Sequence, residues 1–262
     1  MAGAWLFTAF CLATPLEVAL VDQAVVKERL ERGEVAAGER QSRIRDLFQE
    51  AGCTIEEQQV DKHSGNVICT LPGQTDSAIV VGAHFDFGEH GTGMVDNWSG
   101  TSLLPSLYQA LKNRPRQHTY VFVAFAAQKR QYLGSWRYIQ NLTSEQKARV
   151  RAYINLDCLG LTSTKVRTNR STPALVNYLI RVADTLRIPL QGVNFGQVAD
   201  DDTHSFVSAH IPVVAIHSIT PDTFPILRTE RDRLTAIHFD DYYTTYKLVA
   251  YYLAYLDTKT EP

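Results

Sequence analysis

The sequence has few cysteines, no block of basic residues and no apolar run long enough to span a lipid bilayer. Its 26 lysines and arginines are outnumbered by 28 aspartates and glutamates, which gives a formal net charge of −2. Because nucleic-acid-binding proteins carry clustered positive charge, we expect no nucleic-acid partner. The four cysteines form neither a CxxC pair nor a zinc-finger spacing. These absences leave a globular domain without a transmembrane segment.

Two of the cysteines, Cys53 and Cys69, flank a predicted hairpin. They form a disulfide if the protein is exported, or remain buried free thiols, and the pattern leaves both readings open. Residues 1–22 are mostly small and apolar, and residues 4–13 resemble the hydrophobic region of a signal peptide, although no lysine or arginine precedes Lys27. We interpret residues 1–22 as a signal segment or an N-terminal helix. The expected location is secreted or periplasmic, with the cytoplasm as the alternative.

Residues 23–262 contain no linker, internal repeat or low-complexity tract, so they predict a single domain. Helical apolar spacing alternates along the chain with short segments rich in β-branched and aromatic residues. The predicted helices are 26–52, 99–113, 134–141, 173–187 and 240–256, and the predicted strands are 53–60, 66–71, 79–83, 118–127, 153–156, 165–168 and 212–216. This alternation indicates an α/β fold, a three-layer domain with a central mixed β-sheet flanked by helices and the hairpin at one edge.

Polar side chains follow two of the predicted strands. The strand at 79–83 delivers His84 and Asp86, a glycine-punctuated loop presents Asp96, and the strand at 153–156 ends at Asp157. Ligand sites of α/β sheets lie at the carboxyl ends of strands, and imidazole and carboxylate groups are zinc ligands. Each residue alone has a plainer explanation, a structural His–Asp pair or an aspartate in a turn. The three together predict a metal site.

Several motifs resemble those of the M28 family of zinc exopeptidases, aminopeptidase type. They are His84-x-Asp86, Asp96-Asn-x-Ser-Gly, Gly134-Ser135, Asn155-Leu-Asp157 and Ile211-Pro212. The resemblance implies two zinc ions that share Asp96 as a bridging ligand. It implies that His84 and Asp157 complete the coordination of one ion, and that Asp86 orients the ligating histidine.

The other half of the implied site departs from the family pattern. Where the family carries a Glu-Glu pair, this chain has Gln128 at the general-base position and Lys129 at the ligand position, and Arg228 replaces a ligating histidine. A glutamine amide does not take up a proton usefully, and neither an ammonium nor a guanidinium has a lone pair for zinc. We therefore expect one zinc ion at most. We also predict that Lys129 and Arg228 occupy the space of the second metal as ion-pair partners of Asp96, with His238 the available substitute ligand.

The resemblance places substrate-pocket residues around Asp202 and His204, and His217 at the end of a predicted strand could face the same pocket. A solvated loop or a core histidine would explain them equally well. The resulting prediction is a catalytically impaired pseudo-peptidase that binds a peptide or protein. The alternative is an active single-zinc hydrolase or acyltransferase, aminopeptidase-like or glutaminyl-cyclase-like, that uses Glu89, Asp202 or His217 as its acid–base. A third reading is a domain retained for structure alone.

Overall fold

A computed structural model describes residues 17–88, 90–194 and 201–259. Most of the segment at 1–22, and also Glu89, lie outside these residues. The helices are α1 Gln23–Glu31, α2 Arg40–Glu50, α3 Ser99–Thr101, α4 Leu103–Leu111, α5 Leu133–Asn141, α6 Ser144–Arg149, α7 Pro173–Leu186, α8 Thr203–Ser208 and α9 Phe239–Leu256. The strands are β1 Ile55–Gln59, β2 Gly65–Leu71, β3 Ala78–His84, β4 Thr119–Phe125, β5 Val150–Leu156, β6 Lys165–Arg167, β7 Gln191–Val193 and β8 Val213–His217.

The strands form one mixed sheet in the order β1-β2-β4-β3-β5-β8-β6-β7. Its centre is parallel, since β3 pairs in parallel with both β4 and β5, and β5 pairs in parallel with β8. The predicted hairpin β1–β2 is antiparallel and lies at one edge. The predicted fold class is confirmed. Because β3, β5 and β8 run in the same direction, the residues that follow them meet at one edge of the sheet.

Helices cover both faces of the sheet. The side chains of Ile79, Val81 and Ala83 on β3 join a large core with α1, α2, α4, α7 and α9. Val80 points to the opposite face and joins a smaller core with α5 and α8. Because successive side chains of a strand alternate between faces, an uninterrupted β-branched run suits a strand that is buried on both sides.

One helix boundary depends on tertiary contacts. The helix predicted over 26–52 is two helices, α1 and α2. The Trp98 indole N–H donates to the carbonyls of Arg29 (3.2 Å) and Leu30 (2.9 Å) at the end of α1, and a Cβ on Gly33 would lie 2.0 Å from the Trp98 ring. Trp98 thus satisfies the free carbonyls of the helix end and packs where only glycine fits. The short elements α6, α8 and β7 were not predicted.

Cys53 and Cys69 form a disulfide that joins the start of the hairpin to β2. Cys158 is a buried free thiol. In the part of the chain that the structure describes, no helix combines the length and the apolar character needed to cross a membrane.

Candidate functional site

The predicted metal ligands come together at the carboxyl edge of the parallel strands. His84 is the last residue of β3, and Asp157 directly follows β5, the neighbouring strand. Asp96 lies in a tight turn, residues 94–98, whose Asp96–Asn97 peptide bond is cis. The Asn97 side chain ties this turn to β5, because its amide donates to the carbonyl of Leu156 at 2.8 Å.

One ligand atom from each of His84, Asp96 and Asp157 can be chosen so that all three lie within 4.8 Å of one another. The Nε2 atom of His84 is 3.2 Å from Asp96 Oδ1 and 4.0 Å from Asp157 Oδ1. Its Nδ1 atom is 3.0 Å from the carbonyl oxygen of Asp86, which turns Nε2 toward the two carboxylates. An imidazole and two carboxylates are a normal donor set for a divalent ion. The chemistry of this half of the site therefore fits one metal ion.

Lys129 occupies the other side of Asp96. Its Nζ atom lies 2.7 Å from Oδ1 and 2.8 Å from Oδ2 of Asp96, so the predicted ion pair of Lys129 is present. Arg228 behaves differently. Its Nε atom is 4.0 Å from Asp96 Oδ2, and its side chain is 72% exposed. The predicted ion pair of Arg228 with Asp96 is thus present only as this long contact, because Lys129 already covers both carboxylate oxygens and most of the arginine side chain is exposed at the cavity.

Asp86 holds the loop that carries Gln128 and Lys129. Its Oδ1 accepts the N–H of Gln128 at 2.9 Å, and its Oδ2 accepts the N–H of Lys129 at 3.0 Å. The same carboxylate is 3.5 Å from Nδ1 of His84, whereas the Asp86 carbonyl is closer. The side chain of Asp86 thus contributes to orienting His84, but its nearer partners are the two backbone N–H groups. It links the histidine half of the site to the lysine half.

The charges of the cluster depend on one another. Burial and the Lys129 ammonium lower the pKa of His84, but its contacts with Asp86 and Asp96 and the charge of Asp157 outweigh them and raise it to about 10. Burial would raise the pKa of Asp96, but its contact with His84 and the charge of Lys129 hold it well below its ordinary value. Burial raises the pKa of Asp157. The cluster is therefore centred on the Asp96 carboxylate, which lies between the His84 imidazole and the Lys129 ammonium.

A cavity of about 300 Å³ opens next to this network. Its polar lining includes Gln128, Lys129, Arg167 and Arg228 beside Asp96 and Asp157, and its apolar wall includes Ile219, Phe224 and Leu227. Gln128 is one of the lining residues, so the position expected for a general base carries an amide residue at the cavity.

The three predicted pocket residues lie in different places. His217 lines the cavity, and burial together with the charges of Arg167 and Lys165 lowers its pKa to about 3. Asp202 is buried and is not part of the lining, where its neighbour Asp201 lies instead. His204 packs on Tyr132 and Trp136 and lines a separate cleft. Of the three predicted pocket residues, only His217 lines the cavity, whereas Asp202 precedes the short helix α8 and His204 lies in its first turn. His238 is at the N-cap position of α9 and is not in the ligand cluster of the described residues.

Sequence reasoning missed two residues that support the site. Arg40 is fully buried and donates to the carbonyls of Thr92 and Gly93 at 2.6 and 2.8 Å, just before Asp96. Asp232 accepts the N–H of Val95 at 2.7 Å. A charged residue at helical spacing normally faces solvent, so the sequence carries no signal for the burial of Arg40. Asp232 lies four residues after Arg228, and no residue pattern indicates that its carboxylate binds the backbone next to Asp96.

The family model of peptidase family M28 matches residues 66–253, which is most of the chain. An aminopeptidase of Pseudomonas aeruginosa (strain UCBPP-PA14) is 32% identical over 96 residues, and the match covers 36% of this chain but only 18% of that protein. A zinc aminopeptidase of Bacillus subtilis has a similar structure, with a TM-score of 0.69, 23% identity and coverage of 76% of this chain and 51% of that chain. A glutaminyl cyclase of Porphyromonas gingivalis gives a TM-score of 0.71 at 17% identity, with coverage of 88% and 95%. The two structures share the fold seen here, and the match to the family model shows that this chain belongs to peptidase family M28.

Proposed function

We propose that this member of family M28 binds a peptide in its cavity without hydrolysing it. The observation that carries the proposal is the contact of Lys129 with both carboxylate oxygens of Asp96, at 2.7 and 2.8 Å. The resemblance implies that Asp96 bridges two zinc ions. An ammonium group in that position supplies the positive charge that the carboxylate needs, and it offers no lone pair to a metal.

The position of Gln128 supports the same proposal. It is one of the residues that line the cavity, at the position where the family carries its general base. General-base catalysis typically contributes about 10²–10⁴-fold to a rate, and an amide cannot supply it. His217 does not replace it, because its Nδ1 atom accepts the N–H of Ile219 at 3.0 Å and its low pKa makes it a poor base.

We propose that the site holds one zinc ion at most. His84, Asp96 and Asp157 would be its ligands, and a bound zinc ion would supply Lewis-acid polarisation. The Lys129 ammonium opposes this binding by charge repulsion, and a ligating His84 must also give up its proton. Zinc binding to the wild-type chain should therefore be weak and should weaken further as the pH falls.

Metal analysis and activity assays on the purified full chain test the proposal. We expect less than one equivalent of zinc after dialysis and no turnover of aminoacyl-p-nitroanilides or of peptides with N-terminal glutamine. Stoichiometric zinc with turnover that His84→Ala abolishes and the exposed-turn control His63→Ala preserves would overturn it. Binding of blocked peptides to the cavity would separate the peptide-binding reading from a domain retained for structure alone.

The triple variant Gln128→Glu, Lys129→Glu, Arg228→His examines the same idea from the other direction. Because Asp86 holds the 128–129 backbone by two hydrogen bonds, the loop that presents the new carboxylates is already in place. We expect the variant to bind more zinc than the wild-type chain, measured by calorimetric titration. An unchanged zinc affinity would mean that the lysine is not what excludes the second ion.

A glutaminyl-cyclase-like activity is the second candidate, because the cyclase of Porphyromonas gingivalis and this chain cover each other almost completely. The described residue best suited as a base is Asp202, since burial raises its pKa to about 7. It does not line the cavity, which makes this candidate the weaker one. Cyclisation of glutaminyl peptides that is lost in Asp202→Asn would establish it.

We propose that the protein works in an oxidising compartment, secreted or periplasmic. The disulfide between Cys53 and Cys69 supports this location, because such bonds are rare in reducing cytosol. Mass spectrometry of the protein from its native cells, after alkylation without reduction, checks the proposal. Alkylation of both thiols would contradict it.

A further inference from the structure

Arg228 has spare hydrogen-bonding capacity at the cavity. Arg228 lines the cavity, and its one ionic contact in the described part of the chain is the 4.0 Å approach of its guanidinium Nε to Asp96 Oδ2. That carboxylate is already neutralised by Lys129 at less than 3 Å. No hydrogen bond joins the Arg228 side chain to the residues that the structure describes, so all five of its N–H donors face solvent or the cavity.

The other charged groups around the cavity have nearer partners. Lys129 is held by Asp96, and Arg167 lies 3.5 Å from Asp201. Asp157 accepts a hydrogen bond from the Cys158 thiol at 3.0 Å. Among the described lining residues, Arg228 is therefore the cation whose charge the protein matches least. A guanidinium presents its donors as a planar fork that fits a carboxylate with two parallel hydrogen bonds.

Apolar side chains lie beside this cation. Phe224, Leu227 and Ile219 form part of the same wall, and Phe224 is 39% exposed although it is large and apolar. A group that fits the cavity thus combines an anion with an apolar side chain. The volume of about 300 Å³ is at the lower end of the range for ligand pockets, so it suits a chain end better than a folded surface.

We propose that Arg228 binds the C-terminal carboxylate of a peptide whose last residue is apolar. This inference rests on the proposed peptide binding and names the end of the peptide that is recognised. Under this proposal, the residue at a position that the resemblance assigns to a metal ligand binds a carboxylate instead. The carboxylate lies at Arg228, and the apolar side chain lies against Phe224 and Leu227.

Four blocked dipeptides test the inference on the full chain, with NMR chemical-shift titration as the readout. They are N-acetyl-Gly-Leu, its C-terminal amide, N-acetyl-Glu-Leu-amide and Leu-Gly-amide. The first carries a terminal carboxylate, the second carries no charge, the third carries only a side-chain carboxylate and the fourth carries only an ammonium group. We expect the free acid to bind about 10- to 100-fold more tightly than its amide, because a charge-assisted hydrogen bond between Arg228 and the carboxylate contributes a gain of that size.

Arg228→Gln should abolish the preference for the acid over the amide. The side chain is largely exposed, so the variant should keep the unfolding temperature of the wild-type chain. Arg233→Gln is the matched control, because it removes the same charge from an exposed residue of the same loop that does not line the cavity. In this control, the preference for the acid should remain.

Three results would overturn the inference: equal binding of acid and amide, tighter binding of Leu-Gly-amide, or no binding of any of the four at millimolar concentration. Equally tight binding of N-acetyl-Glu-Leu-amide would replace the terminal carboxylate with an acidic side chain as the recognised group. Hydrolysis of Leu-Gly-amide would refute the proposed lack of catalysis. The titrations with the free acid and its amide would still decide whether Arg228 binds a carboxylate. Failure of the inference and failure of the proposed function are thus distinguishable.

Discussion

Replacing Lys129 by methionine removes the cation that neutralises Asp96 while keeping a side chain of similar length. In the wild-type chain, the ammonium contacts both oxygens of a carboxylate whose side chain is only 7% exposed, and Lys129 itself is 20% exposed. Breaking a buried ion pair by removing one partner costs about 3–5 kcal/mol. The cost here should be smaller, because His84 remains 3.2 Å from Asp96. We expect a loss of about 2–4 kcal/mol in the free energy of unfolding, or about 10 °C in unfolding temperature.

The pH dependence gives the result a second signature. The folded-state pKa of Asp96 lies below its ordinary value of 3.8, so the stability that this group contributes is present above pH 3.8 and is lost as the pH falls below it. In Lys129→Met, the pKa of Asp96 is lowered less, because only His84 and the distant Arg228 remain. The difference in stability between wild type and variant should therefore shrink as the pH falls from about 5 to about 2.

Urea unfolding, followed by circular dichroism at several pH values, measures both effects. Lys62→Met is the control, since Lys62 is exposed in the turn between β1 and β2, and it should change stability by less than about 0.5 kcal/mol. Added zinc should stabilise Lys129→Met more than the wild-type chain, because the competing ammonium is gone. A variant as stable as wild type at every pH would refute the idea that Lys129 neutralises this site.

Three further changes have defined expectations. Asp86→Asn replaces one of the two acceptors for the 128–129 backbone by an N–H₂ group, so it should cost about 1–3 kcal/mol in urea unfolding and raise hydrogen exchange in that loop. A change smaller than 0.5 kcal/mol would contradict it. The folded-state pKa of Asp202 is about 7 against an ordinary 3.8, so the wild-type chain should lose stability relative to Asp202→Asn as the pH rises from 4 to 8, by about 2–4 kcal/mol. A stability difference between wild type and Asp202→Asn that does not change with pH would contradict the raised pKa of Asp202. Reduction of the Cys53–Cys69 disulfide, which spans 16 residues, should lower the free energy of unfolding by about 3 kcal/mol; equal urea midpoints with and without reductant would refute this.

The fold could be predicted because its signals are local. The run 79–83 is apolar on both faces of a strand, and the closing helix carries an apolar face along its whole length, so both predictions hold within one residue at each end. The boundary between α1 and α2 could not be predicted. It depends on the indole of Trp98, which lies 68 residues beyond Leu30 and satisfies the end of α1 only in the folded chain.

The site could be predicted in part for the same reason. His84 and Asp157 lie at strand ends, which meet because β3 and β5 pair in parallel, and Asp96 lies in the loop after β3. The orientation of the Arg228 side chain could not be predicted from the sequence. It depends on the backbone conformation, and Arg228 adopts a left-handed φ of 61° that no residue pattern indicates. The burial of Arg40 could not be predicted from the sequence either, because its hydrogen-bond partners are backbone carbonyls of a loop that is distant in the chain.

Backbone hydrogen bonds fix the loops that carry the site residues. In a two-metal site, the ions both neutralise the carboxylates and tie together the loops that carry them. Here the two tasks are separate: Lys129 supplies the charge, whereas Asp86 holds the 128–129 backbone and Asp232 holds the backbone at Val95. Neither aspartate depends on a metal for these bonds. The proposed loss of the second metal therefore does not require collapse of the cavity, and the same backbone can present Arg228 to the proposed ligand carboxylate.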